Sequence, residues 1–398
     1  MLEGIRVVEM ASIAAGPCAA AMLADWGAEV IKIEPLGGDP VRGVPARLGL
    51  AQQAFDADFD LHNRGKRSLA INLGNADSYK IIEGLVAGCD VFITNILQEK
   101  QRTRRIDWEH LSRINPKLVH ASISGYGPAG ADSETPSIDH TAFWARSGLA
   151  HLMTPKGSEP APIRRATGDR AAAMALVAGI LAAYIEVQRT GRGKRVETSL
   201  LRTGAFLVAT DLNTQISRGR VGSNQPRKSN INPLHTFLPT KDGRWIAISA
   251  GRLEDLAVLG SPELLEDARF ADQAGRRQHA GELVDLLDSI SRRHTLAEWC
   301  EKLQGAAFRW APVQNAAEVV ADPQVRAAGA LVDLPLKTGE GSYASLAMPV
   351  GFFKEDGGVD GAPRAQAPGI GEHTDLILAD LGYSATAIQQ MRHSRVVG

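Results

Sequence analysis

The first 125 residues alternate between two hydrophobic periods. Short apolar runs at Ile5-Arg6-Val7-Val8-Glu9-Met10 and Glu29-Val30-Ile31-Lys32-Ile33 read as strands. Between them Pro17 opens an alanine-rich helical stretch through Trp26, because proline is tolerated in a first helical turn. Ser68 to Leu73 is a third strand. A helix follows with Asn75 as its cap, Ile81, Ile82, Leu85 and Val86 on one face, and Gly88 as its stop. Asp90 to Thr94 and Leu118 to Ser124 are two more strands, separated by a helix from Trp108 to Ile114 that ends before Asn115-Pro116. Strands alternating with helices predict a parallel sheet covered on both faces.

From Asp139 to Ile216 the pattern is mostly helical, with one short strand at Arg195 to Thr198. The longest apolar run, Ala171 to Ile185, has 15 residues between Arg170 and Glu186. It falls short of the roughly 20 needed to cross a bilayer and reads as a buried helix, so no membrane partner is expected. Ser217 to Asn230 is polar and reads as a linker or binding loop. A turn at Lys241 to Arg244 precedes a strand from Trp245 to Ser249, helical patterns run from about Arg252 to Gln304, and Thr374 to Leu381 is helical. The pattern predicts a large α/β domain and a smaller α+β domain after residue 225.

Composition narrows the function. A chain of 398 residues suits two to three domains. Lys and Arg number 44 against 45 Asp and Glu, so the formal charge is −1 and no global field favours nucleic acid. Forty glycines exceed the usual ~7% and suit many strand–helix junctions. Cys18, Cys89 and Cys300 form neither a disulfide framework nor a CxxC pair, which fits a reducing compartment. The start, Met1 to Arg6, lacks the form of a signal peptide, and a cytoplasmic location is expected.

Three features could carry chemistry. Asp169, in Gly168-Asp169-Arg170, stands at the start of the long apolar helix. It reads either as an N-cap or as a carboxylate nucleophile toward an activated acyl group, with helix donors beside it for a developing oxyanion. Two basic runs, Asn63 to Arg67 and Lys100, Arg102, Arg104 and Arg105, are either solvated faces or phosphate-binding loops at strand ends. Gly125-Tyr126-Gly127-Pro128-Ala129-Gly130 matches GxGxxG, but the turn-like residues after it predict no helix, so a dinucleotide site is not expected.

Several stretches in order resemble the class III CoA-transferase family, the group that contains formyl-CoA transferase and the carnitine CoA-transferases. They are Leu2 to Glu9 followed by Ala15-Gly16-Pro17, Trp26 to Pro35, Asn63 to Ser68, Asn115 to Val119, Thr190 to Glu197, and Gly371-Glu372-His373-Thr374. The resemblance implies a Rossmann-like open sheet domain of residues 1–225 and 330–398, a small α+β domain of residues 226–329, and an interlocked homodimer. It implies Asp169 as a nucleophile that passes through an acyl anhydride and an aspartyl-CoA thioester. Acyl-CoA and a small carboxylic acid are then the substrates, with no permanently bound cofactor and no metal. It also places Ala14 and Ala15 at the reacting thioester, and Ile71, Asn72, Asn95 and Arg104 against coenzyme A. Ile96 to Gln101 departs from the family pattern, so Arg102 or Arg105 could stand in for Arg104. Related racemases carry a histidine where this chain has Ile138, before Asp139. Formyl-CoA transferase's glycine-rich flap is absent, its region here reading Asn224 to Pro233. Phe143 and Trp144 then point to an acyl group larger than formyl, or else to helix core.

Overall fold

A computed structural model describes residues 1–49, 56–356, 359–360 and 366–398. The chain divides into two compact units, one of Met1–His151, Ala161–Gly219 and Gln324–Gly398, the other of Leu152–Pro160 and Arg220–Pro323. The first is built on six strands: β1 (Arg6–Met10), β2 (Glu29–Pro35), β3 (Arg67–Ile71), β4 (Val91–Thr94), β5 (Val119–Ser124) and β6 (Lys194–Ser199). Their order is β3-β2-β1-β4-β5-β6, and every neighbouring pair is parallel. Val8 of β1 stands opposite Ile31 on one side and Phe92 on the other, which sets the register.

One face of the sheet packs Val8, Met10, Ile33, Leu69 and Phe92 against the apolar stripe Ile81, Ile82, Leu85 and Val86 of the helix Asp77–Ala87. Ile377, Leu378, Val396 and Val397 complete that core. The helix starts at Asp77 with Ala76, not Asn75, in the cap position, and the Asn75 Oδ1 accepts from the Asp77 amide at 2.9 Å. The other face carries α1 (Ala15–Asp25) and the long helix Thr167–Thr190. Ala19, Ala20 and Ala21 of α1 and Ala172 and Ala173 of the long helix are fully buried, small side chains that let two helices approach closely. The long helix has 24 residues, because polar turns at both ends continue the 15-residue apolar run. By length and composition it could cross a bilayer, so the length argument fails. Its stripe Ala172, Leu176, Val177, Ile180, Ala183 and Val187 is nevertheless buried within the unit.

After β5 the GxGxxG stretch turns, and the next helical element, a seven-residue π-helix, begins only at Asp139. In the second unit β7 (His235–Pro239), β8 (Trp245–Ser249) and β9 (Arg309–Pro312) form an antiparallel sheet. Its core includes Leu238, Ile246, Ile248, Phe270, Leu283, Leu287 and Trp299.

Candidate functional site

A sheet of this order has a switch point. The chain departs β1 and β4 toward opposite edges and leaves a crevice beyond their carboxyl ends, where open α/β sheets bind ligands. A cavity of about 360 Å³ lies there. Its walls are Ser12, Ile13, Ala14 and Ala15 after β1, Asn95, Ile96 and Leu97 after β4, Ser124 and Gly125 at the end of β5, and Asp169.

The loop after β1 is clamped from two sides. Asn95 accepts from the Ser12 amide at 3.1 Å and donates to the Ser12 carbonyl at 2.7 Å. The other clamp is a buried charge network. Lys32 pairs with Glu9 at 3.0 Å and Asp39 at 2.9 Å, and Lys66 pairs with Glu9 at 2.6 Å. Lys32 also donates to the Ala11 carbonyl, Lys66 to the Pro17 carbonyl, and Asp39 accepts from the Ile13 amide. Ala14 caps α1 without a side-chain hydrogen bond, so the first amides of that helix remain as donors beside the cavity.

This network corrects the reading of the first basic run. Arg64 and Lys66 are buried, so neither forms a solvated face or a phosphate loop. Arg64 instead pairs with Asp25 at 2.6 Å. The second run splits. Lys100 and Arg104 line the cavity, and no ion pair engages either among the described residues. Arg102 lines a separate small cleft with Asp107 and Trp108, and Arg105 lies 3.7 Å from Glu83. Lys100 and Arg104 thus keep the phosphate-loop reading of that run open, while Arg102 and Arg105 lie outside the cavity lining.

Asp169 is not the N-cap. The helix begins two residues earlier, after Ala166 in a left-handed conformation at φ 60°, and no side chain caps it. The Asp169 carboxylate is half-buried in the cavity wall, with no hydrogen bond to it among the described residues. Burial raises its pKa to about 6, the nearby Asp139 charge adds to the rise, and Arg170 opposes it. Asp139 itself is buried, with Oδ2 unpartnered among the described residues.

The structure brings Asp169, Ala14, Ala15, Asn95 and Arg104 around one cavity. Ile71 and Asn72 do not line it. Ile71 is fully buried and bridges Val397, while Asn72 turns back on Gly74. Phe143 and Trp144 do not line it either. Phe143 is buried against Gly168, and Trp144 donates to the Ala161 carbonyl at 2.8 Å. Among the wall residues that the sequence did not flag are Ser12, Ile13, Ser137 and Leu200. The position of Leu200 just beyond β6 was the available signal.

Comparison with known proteins gives a consistent result. The sequence model of CoA-transferase family III matches residues 2–374. The (R)-2-hydroxy-4-methylpentanoate CoA-transferase of Clostridioides difficile is 32% identical over all of this chain and 99% of its own. The alpha-methylacyl-CoA racemase of Mus musculus is 28% identical over all of this chain and 97% of its own. Among solved structures, a CAIB/BAIF family protein from Brucella suis superposes with a TM-score of 0.83 at 28% identity. That match covers 96% of this chain and 99% of the other.

Proposed function

The chain belongs to CoA-transferase family III and is an enzyme of that class, and from that premise we propose that Asp169 carries coenzyme A covalently between two carboxylic acids. The observation that carries the reading is a half-buried carboxylate facing a cavity whose walls carry Lys100, Arg104 and the first amides of α1, none of them engaged by an ion pair or side-chain cap among the described residues. An Asp169 oxygen attacks the acyl carbon of the donor thioester, and the C–S bond breaks to release CoA thiolate and leave a mixed anhydride. The thiolate then attacks the aspartyl carbonyl, forming an aspartyl-CoA thioester and expelling the donor acid as its carboxylate. The acceptor carboxylate attacks that thioester and CoA thiolate leaves again. Its attack on the acceptor's acyl carbon gives the new acyl-CoA and frees Asp169. Each step exchanges one acyl bond for another, and no net proton is consumed.

The roles of the surrounding groups follow. The first amides of α1, beside Ala14 and Ala15, face an oxyanion developing at the thioester. Lys100 and Arg104 provide charge for the phosphates of CoA. The anhydride and the enzyme thioester would both hydrolyse, so the reaction requires water to be excluded once the substrates fill the cavity. Ile138, 60% exposed on the cavity wall, offers no proton to exchange at an α-carbon, which favours transfer over racemisation.

The protein acts as a homodimer on this reading. Phe206, Leu207 and Ile216 are 77, 56 and 81% exposed on the helices Leu200–Leu207 and Ala209–Arg218. No residue of the second helix is buried, so this apolar surface is left for a partner copy.

The test is chemical trapping. The protein is incubated with acyl-CoAs, among them branched 2-hydroxyacyl and dicarboxylic ones, in the presence of hydroxylamine or borohydride, and peptides are read by mass spectrometry. Modification is expected at Asp169 and nowhere in Asp169→Ala. Turnover that survives in Asp169→Ala, or no adduct with any donor, would overturn the covalent role. Deuterium entering the α-carbon without acid exchange would establish racemisation instead.

A further inference from the structure

The loop between β1 and α1 contains an outlier. Ile13 adopts φ 71°, a left-handed backbone that a β-branched side chain rarely takes. Its side chain is not hidden by that conformation. It is 52% exposed and lines the cavity that holds Asp169. An exposed, strained position is one where glycine or asparagine would cost less, so an isoleucine there points to a use for its bulk.

The strain is held by a device around Asp39. Both carboxylate oxygens of Asp39 accept from the Ile13 amide, each at 3.3 Å. The carboxylate is fixed in turn by Lys32 at 2.9 Å and the Val41 amide at 3.0 Å, while the Asp39 amide is anchored on Glu34. The side chains of Lys32 and Asp39 are at most 1% exposed, so water competes little for these bonds. Lys32 and Lys66 grip the carbonyls of Ala11 and Pro17 on either side. The network therefore fixes the loop at three backbone points and sets the angle at which Ile13 enters the cavity.

We propose that Ile13 is the specificity-determining residue that limits the size of the acyl group beside Asp169, and that Asp39 is the positioning residue that holds it there. The inference rests on the CoA-transfer reading above and goes beyond it by naming what the site rejects. Donors with a bulky or branched acyl group meet the Ile13 side chain, and donors with a short chain do not.

The experiment compares wild type, Ile13→Ala and Ile13→Gly with acetyl-, butyryl-, 3-methylbutyryl- and 3-phenylpropionyl-CoA as donors. The kcat/KM ratio of the bulkiest donor to acetyl-CoA is expected to rise roughly tenfold or more in both variants. Affinity for free CoA should stay unchanged. A ratio that does not move overturns the role of Ile13. Asp39→Asn is expected to lower kcat for every donor while leaving CoA affinity intact. Adding Ile13→Gly to it should restore much of kcat, because glycine takes φ 71° without help. Equal losses with and without Ile13→Gly would reduce Asp39 to a structural residue and overturn its positioning role. Should Asp39→Asn fail to fold, as circular dichroism would reveal, the same Asp39→Asn/Ile13→Gly chain must fold better if strain at Ile13 is what Asp39 opposes; a failure of both overturns that half. Wild-type protein that transfers from no donor and labels no Asp169 removes the CoA-transfer reading and this proposal together. Transfer with an unshifted donor preference removes only the role of Ile13.

Discussion

At Asp169 two effects push the same way. Burial disfavours the anion, and the Asp139 carboxylate nearby disfavours it again, so the group titrates near 6. Only the ionised form can attack a thioester. Transfer is therefore expected to fall as the pH drops through about 6, and the pH–rate profile reads this directly. Asp139→Asn removes a like charge and should move that limb to lower pH. A limb that stays in place would show that burial alone sets it. The same shift has a stability sign. The folded-state pKa lies above the unfolded one, so the carboxyl favours folding most when both states are protonated, below about 4, and that contribution is lost as the pH rises through 6. Asp169→Asn is thus expected to melt at higher temperature than wild type at pH 8, the difference shrinking through pH 4 and vanishing below it. The gain has a ceiling of about 3 kcal/mol, which solvent at this half-buried site reduces. Local sequence made Asp169 stand out but left two roles open, cap and nucleophile, and the structure removes the cap. It was readable as a cap because nothing in the composition announces the left-handed Ala166 that starts the helix early.

Elements hold Asp169 in place through close contacts at a small residue. A Cβ on Gly168 would lie 2.4 Å from the Phe143 ring, so the first turn of the long helix sits directly on the π-helix Asp139–Ala145. Gly168→Ala is expected to cost roughly 1–3 kcal/mol in a denaturant titration, by overpacking, and to depress turnover by displacing Asp169. A shorter side chain at Phe143 in the same chain should recover part of both. The strands and most helices were legible because their signals are local: apolar runs for β1, β2, β4 and β5, and a 3.6-residue stripe for Asp77–Ala87. The basic run was not, since its partners are remote. Lys66 is 57 residues from Glu9 and Arg64 is 39 from Asp25, so nothing nearby signals that these cations are neutralised and buried. Nor could the sequence show that Ile71 bridges Val397 and that Asn72 accepts from the Gly74 amide, since a strand's end fixes no partner until its neighbours are placed.

Over the whole molecule, the sheet order is what makes the site, and it is a property of long-range pairing. Alternating strands and helices announced a parallel sheet, while the switch point between β1 and β4 became visible only once the strands were ordered. The first unit draws on three chain segments, and its last residues matter to it. Val396 and Val397 are 3 and 2% exposed, and the Gly398 amide donates to the Ala70 carbonyl. Truncation after His393 is expected to lower the melting temperature clearly, with a loss of several kcal/mol from two buried valines and the bonds to β3. The exposed apolar helices carry a second expectation. The protein should run as a dimer at micromolar concentration on a sizing column, and Ile216→Asp should yield monomer or aggregate; wild type running as monomer would refute the pairing.

The four buried charges Glu9, Lys32, Asp39 and Lys66 balance as two cations and two anions. Loss of any one leaves a net unit of charge among buried side chains, at a cost of about 3–5 kcal/mol. Descent with modification can therefore alter these positions only in concert. Homologous chains that have abandoned one member should have abandoned an opposite one too, leaving a correlated signature across species wherever the quartet has been rebuilt.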